Sequence, residues 1–106
     1  MTLTEVNALC SKLVTAGHLT DYAYYEFSTA PTLPFATYTE TDTDSFVADN
    51  KTYFTTHAIR LELYSKTKST ALEAAVETAL ADRVWDKFAT ERLPEQNCFM
   101  TAYEIN

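Results

Sequence analysis

Cys10, Cys98, His18 and His57 are the side chains best suited to nucleophilic or metal chemistry. A Cys–His pair would need an accessible thiolate in an electropositive setting. Both cysteines instead sit in apolar patterns and read as buried free thiols. Zinc needs three or four ligands at short spacing, which two lone histidines and two distant cysteines do not supply. His57 lies on a strand beside aromatics and reads as a partly buried structural histidine. Asp42, Asp44 and Asp49 suggest calcium, but the EF-hand loop needs a Gly at its sixth position and a Glu at its twelfth, and neither is there. These acids read as turn formers in a solvated loop. Gly17 is the single glycine, which rules out a Gly-rich phosphate loop and the dinucleotide fingerprint. No serine sits in a nucleophile elbow. The residues therefore assign no catalytic site, no cofactor and no metal.

Charge and size narrow the alternatives. Fifteen acidic and eight basic residues give a net charge of −7. That argues against holding nucleic acid through phosphate contacts, which needs clustered Lys and Arg. The length of 106 residues, 46% of them apolar, suits one folded domain with one core. No apolar run is long enough to span a membrane. The start, Met1 to Leu13, lacks a basic stretch followed by an apolar block, so no signal peptide is expected and a cytoplasmic setting follows.

Hydrophobic spacing defines the elements that would position any site. Thr2 and Glu5 form a capping box ahead of a helix over 3–16, whose stripe is Leu3, Val6, Cys10, Leu13 and Val14. Gly17 stands where a left-handed residue ends such a helix. Asp21 to Ser28 reads as a first strand. Pro31 and Pro34 interrupt it, and Phe35 to Glu40 forms a second strand, paired with the first as a hairpin. Thr41 to Asn50 reads as a polar loop enclosing Phe46 and Val47.

The longest alternation, Tyr53 to Ser65, is the central strand. Its Ile59, Leu61 and Leu63 face the helices; Arg60, Glu62 and Tyr64 face away. Such a strand would run roughly 40 Å, long enough for one end to project or bend. Thr70 and Glu73 suggest a second capping box for a helix over 71–83. Trp85 to Arg92 and Asn97 to Ile105 complete the strands.

The expected fold is α+β, order α-β-β-β-α-β-β, a single domain with two helices packed on one face of a mostly antiparallel sheet. Such a fold covers one sheet face and leaves the other open. Seven tyrosines and six phenylalanines, several on that second face, point to oligomerisation or partner docking. A small ligand-binding domain or enzyme, with a pocket between helices and sheet, is the competing reading.

Three stretches carry a family resemblance: Leu33-Pro34-Phe35-Ala36-Thr37-Tyr38, Phe46-Val47-Ala48-Asp49-Asn50-Lys51-Thr52-Tyr53, and Ile59-Arg60-Leu61-Glu62-Leu63-Tyr64-Ser65-Lys66. With the Ala-Glu-rich helix, Trp85 and the closing aromatic strand, they resemble the tail-completion (tail-terminator) proteins of long-tailed, siphovirus-type phages and prophages. The likeness covers roughly residues 30–106. It implies a non-enzymatic virion assembly protein of the tail or neck region, present in the host cytoplasm during assembly. Its subunits would form a ring, usually a hexamer, that caps the tail tube and joins it to the head-closure (connector) complex. DNA would pass through without specific binding, and an acidic lumen would not retain it. Asp42, Asp44, Phe46, Asp49, Asn50, Lys51, Tyr53 and Tyr64 are the expected interaction residues, centred on the junction of the Asp42–Asn50 loop with the central strand.

Overall fold

A computed structural model describes the backbone of residues 1–42, 46–48, 52–54, 57–68 and 70–106; the side chains of 42, 46–48, 52–54 and 57 lie outside the description. The elements are α1 (Leu3–Thr15), β1 (Asp21–Tyr24), β2 (Phe35–Asp42), β3 (Phe46–Ala48), β4 (Thr52–Phe54), β5 (His57–Ser65), α2 (Thr70–Ala79), β6 (Trp85–Leu93) and β7 (Cys98–Ile105). Five strands form one sheet in the order β1-β2-β5-β7-β6, and β3 and β4 form a separate two-stranded ladder. The α+β class is as expected. The main sheet and the helices follow the order α-β-β-β-α-β-β, with the small ladder added between β2 and β5.

Helix α1 begins as its sequence dictates. Thr2 Oγ1 accepts from the Glu5 N–H at 3.1 Å, and Glu5 Oε1 accepts from the Thr2 N–H at 2.9 Å. Gly17 adopts φ 84 just beyond the helix, a conformation that only glycine takes without strain. Val6, Leu9, Cys10 and Leu13 then face the sheet, and Leu72, Val76 and Leu80 do the same from the α2 side. They meet Ala36 and Tyr38 of β2, Ile59, Leu61 and Leu63 of β5, and Tyr103 and Ile105 of β7 in one cluster. Both helices thus cover one sheet face. Alternation explains which residues they meet, because every second side chain of a strand points to the same face.

Cys10 and Cys98 are free and buried, as the sequence implied. Desolvation pushes the Cys10 thiol up to about 12. We therefore expect the native protein at pH 8 to leave both thiols unmodified by a thiol reagent, while unfolding in urea exposes two per chain. Fast labelling of the native form would show this packing to be wrong.

Several expectations are corrected. The first two strands are not a hairpin: β1 runs parallel to β2, with Asp21 opposite Phe35 and Tyr24 opposite Tyr38. The cause lies at their starts. The Thr20 N–H donates to the Pro34 carbonyl at 2.8 Å and Thr20 Oγ1 to the same oxygen at 3.0 Å, which fixes the two strand starts side by side. Strand β1 stops at Tyr24, not Ser28, because Tyr25 turns to φ 69, and its N–H then bonds the Tyr38 carbonyl at 2.8 Å. Residues 25–34 return across the sheet end to restart in parallel.

The polar loop over 41–50 is also revised. Strand β2 continues to Asp42, and Phe46–Ala48 forms β3. The single strand over 53–65 is divided into β4 and β5, which belong to different sheets. Helix α2 ends at Ala79, after which Ala81 to Thr78 (3.2 Å) and Arg83 to Leu80 (2.9 Å) bonds tighten the chain into three-residue turns. The second capping box does not form around Thr70, which is the first helical residue; the Glu73 carboxylate is engaged by lysines.

The outer sheet face is less open than the aromatic count suggested. Ala58, Met100 and Ala102 are buried there although no helix covers them. On the same face Arg60 pairs with Glu62 at 3.3 Å and lies 4.8 Å from the Phe88 ring centroid. The described large hydrophobics that stay exposed are Tyr24, Tyr25, Val84 and Phe88.

Candidate functional site

Three features stand apart from the core: an arm, a groove and a charged network. The arm grows from the β2–β5 ladder. Asp42 is the last residue of β2 and faces His57, the first of β5. Beyond them Phe46 pairs with Phe54, Val47 with Tyr53 and Ala48 with Thr52. Three residues join β2 to β3 and two join β4 to β5, so the two ladders cannot share one register. The molecule measures 49 × 29 × 25 Å, and its radius of gyration is 14.9 Å. A compact chain of this length would have about 13 Å.

The groove lies at the other end of the same ladder, on the outer face. Phe35 and Tyr64 are cross-strand partners, with ring centroids 4.9 Å apart and stacked. Phe27, from the returning 25–34 segment, meets Phe35 edge-on at 5.3 Å. Tyr25, Leu33, Leu93 and Cys98 complete a largely apolar recess of about 560 Å³. Burial raises the Tyr64 hydroxyl above its ordinary range, and the nearby Glu62 charge adds to this.

The expected interaction residues therefore divide. Asp42, Phe46 and Tyr53 have their backbones at the arm. Asp44, Asp49, Asn50 and Lys51 lie outside the described residues. Tyr64 stands at the opposite end of β5, seven residues from His57, which places it roughly 23 Å away at ordinary strand rise. Sequence reading did not single out the groove as a recess, because Phe27 and Tyr25 reach it only through the parallel turnback.

The charged network joins α2 to the sheet. Glu73, 7% exposed, accepts from Lys87 Nζ at 2.7 Å and from Lys68 Nζ at 3.5 Å. Lys87 also lies 2.8 Å from Glu77 Oε2, which accepts from the Tyr103 hydroxyl at 2.7 Å. Two carboxylates and two ammonium groups balance, which suits a structural tie. The hydrogen bonds from Lys87 and Tyr103 hold the Glu77 carboxyl below its usual range, and Glu73 and Glu77 raise Lys87 above its own. Stability from Glu77 is present above its ordinary value near 4.5 and is lost as pH falls through its lowered folded value. Stability from Lys87 is present below 10.5 and is lost as pH rises through its raised folded value.

Lys87→Met tests the tie. It leaves Glu73 with only the longer Lys68 contact, and unfolding in urea should show a loss of about 2 kcal/mol. Replacing Glu73 and Lys87 together by Leu should recover most of it, since no buried charge is then left unpaired. A neutral Lys87→Met would mean that solvent already satisfies Glu73.

Among the described residues no group of three or more His, Cys, Asp or Glu could hold a metal ion. No helix there is long and apolar enough to cross a membrane. The chain matches no protein-family model and no curated protein. What it offers is a separate two-stranded ladder beyond the Asp42–His57 pair and an aromatic recess at the Phe35–Tyr64 end of the β2–β5 ladder.

Proposed function

We propose that the chain is a structural subunit of a phage-type tail, a tail-completion or tail-terminator protein that assembles into a ring, a hexamer in the manner the sequence resemblance implies. The ring caps the tail tube, contacts the tail-tube protein on one side and the head-closure or connector protein on the other, and resides in the tail or neck of the virion after assembly in the host cytoplasm. DNA passes through it, and the net charge of −7 supports a lumen that does not retain DNA.

The observation that carries this reading is the arm. Strands β3 and β4 pair with each other and with no strand of the main sheet. A two-stranded ladder is marginal by itself. Two phenylalanines, a valine and a tyrosine stand among its six residues, a composition that suits a subunit contact. The competing reading, an enzyme or ligand-binding domain, needs space between helices and sheet. Leu61, Val76 and Tyr103 pack in the buried cluster at that place.

Negative-stain images of the purified protein test the reading. Closed rings should appear, and adding the protein to polymerised tail tubes should place a ring at one tube end. Single small particles that ignore both tube and connector would overturn it.

A further inference from the structure

The main sheet has two edges, β1 and β6, and no described strand pairs with the outer side of either. An edge strand leaves backbone N–H and C=O groups directed away from its sheet, ready to pair with another chain. The exposed large hydrophobics of the described residues are divided between these edges. Tyr24 ends β1 and Tyr25 follows it; Val84 precedes β6, and Phe88 lies in β6 where its register against β7 shifts. The two groups also stand level. Cross-strand pairing runs in one row from Tyr24 through Tyr38, Leu61 and Tyr103 to Lys87, the residue next to Phe88. Strand directions complete the match: β1 is parallel to β2, and three antiparallel pairings then leave β6 running opposite to β1.

We propose that the β6 edge of one copy pairs, antiparallel, with the β1 edge of the next, so that the sheet continues from subunit to subunit. The inference rests on the ring reading above and names one of its contacts. Three observations select a second copy as the occupant. The first is the level placement: a ring has no rise per step, so copies set side by side with strands along its axis bring Tyr24 into the row of Lys87. The second is the chemistry of that row. Tyr24 meets Tyr38 edge-on at 5.6 Å, Lys87 bonds Glu73 of α2, and Trp85 packs against the core, which puts all three on the helix-covered face. Tyr24 would then lie against Trp85 and the Lys87 stem, an aromatic cross-strand contact. The third is charge. Asp21 and Glu26 at the β1 edge are exposed acids, and no Lys or Arg occurs from His18 to Asn50. The row of Asp21 leads to Glu91, beside Arg92. Arg92 donates to the Cys98 carbonyl at 3.0 Å and to Asn97 Oδ1 at 2.6 Å, both neutral, so its charge can answer the Asp21 carboxylate. Unlike edges on two copies make a heterologous contact, which closes into a ring when the rotation per step allows. Four residues of pairing cover far less than the roughly 1,200 Å² of a stable interface, so this contact does not carry the ring by itself.

Disulfide trapping tests this. Ala23 and Ala89 share the row that runs through Thr37, Glu62 and Ala102. Within one chain they stand four strand spacings apart, about 19 Å, too far for a disulfide. The native Cys10 and Cys98 are buried. Mild oxidation of the Ala23→Cys, Ala89→Cys double variant should therefore link most chains into multiples of 12.0 kDa on a denaturing, non-reducing gel. Each single variant should stay at the chain mass, and an equimolar mixture of the two should give dimers and nothing larger. Circular dichroism checks the fold and light scattering the assembly before oxidation. In the otherwise native chain, Tyr24→Asp should keep the fold and lose the assembly. A double variant that assembles like wild type without cross-linking overturns the edge contact and leaves the ring reading standing, as does a folded Tyr24→Asp that assembles like wild type. Single variants that cross-link to themselves show like edges meeting and also overturn it. A wild type that is itself monomeric overturns the ring reading and this inference with it.

Discussion

Tyr103→Ala should destabilise the domain by about 4 kcal/mol, the range in which large buried aromatics fall when truncated. Tyr103 is fully buried at the centre of the sheet face that meets the helices. Its ring meets Trp85 edge-on at 5.7 Å and lies 5.6 Å from Lys87 Nζ, and its hydroxyl reaches Glu77. Tyr103→Phe separates packing from polarity. It keeps the ring and deletes one hydrogen bond to a carboxylate that Lys87 still neutralises, so the loss should be about 1 kcal/mol. Urea unfolding of both variants decides which effect wins. If Phe proves as harmful as Ala, the hydroxyl–Glu77 link, and not the ring, organises the junction of α2 with the sheet. Burial together with the Glu77 charge raises the Tyr103 hydroxyl well above its ordinary range, so the group remains a neutral donor throughout.

Excising residues 43–56 should leave a folded domain that no longer assembles. Asp42 and His57 are direct cross-strand partners, so a two-residue Asn-Gly turn can close the gap. The β3–β4 ladder pairs with no strand of the main sheet. Stability should therefore stay within about 1 kcal/mol of the parent, helped by the smaller entropy of closing a shorter loop. The oligomer should disappear. Unfolding of the excised chain would show that the arm contributes to the core, and retained assembly would show that subunits meet elsewhere. These two outcomes are separable by circular dichroism and by mass.

Much of the fold was legible because its signals are local and periodic. Thr2, Glu5 and Gly17 mark both ends of α1 through backbone chemistry that needs no tertiary partner. Ile59, Leu61 and Leu63 alternate cleanly enough to identify the buried face of β5. The parallel pairing of β1 with β2 was not legible. Chain proximity and two prolines suggested a hairpin, whereas Thr20 bonds to the residues just before β2 and Tyr25 takes a left-handed backbone. Thr70 and Glu73 have the spacing of a capping box, but Lys87, distant in sequence, competes for the Glu73 carboxylate. Phe46 and Val47 looked like apolar residues within a loop because β3 is only three residues long, too short for alternation to show.

The candidate site was legible in part for the same reasons. The stretch Ala48 to Tyr53 stood out because no core argument explains it; Ala48 ends β3, Thr52 and Tyr53 open β4, and the rest lies outside the described residues. Tyr64 was an expected contact as part of the second, aromatic face of the central strand. Strand geometry separates them, since an extended chain carries residues apart by about 3.3 Å each. The groove depended on Phe27 and Tyr25 arriving from the turnback, and no spacing rule could join them to Leu93 and Cys98.

Self-assembly of the intact chain is the central claim, and the molar mass of the purified protein over a range of concentrations tests it most directly. A discrete species several times the 12.0 kDa chain mass, unchanged on dilution and imaged as a closed ring, is the predicted result. A mass that remains at 12.0 kDa at every concentration, with the arm intact, would contradict the account.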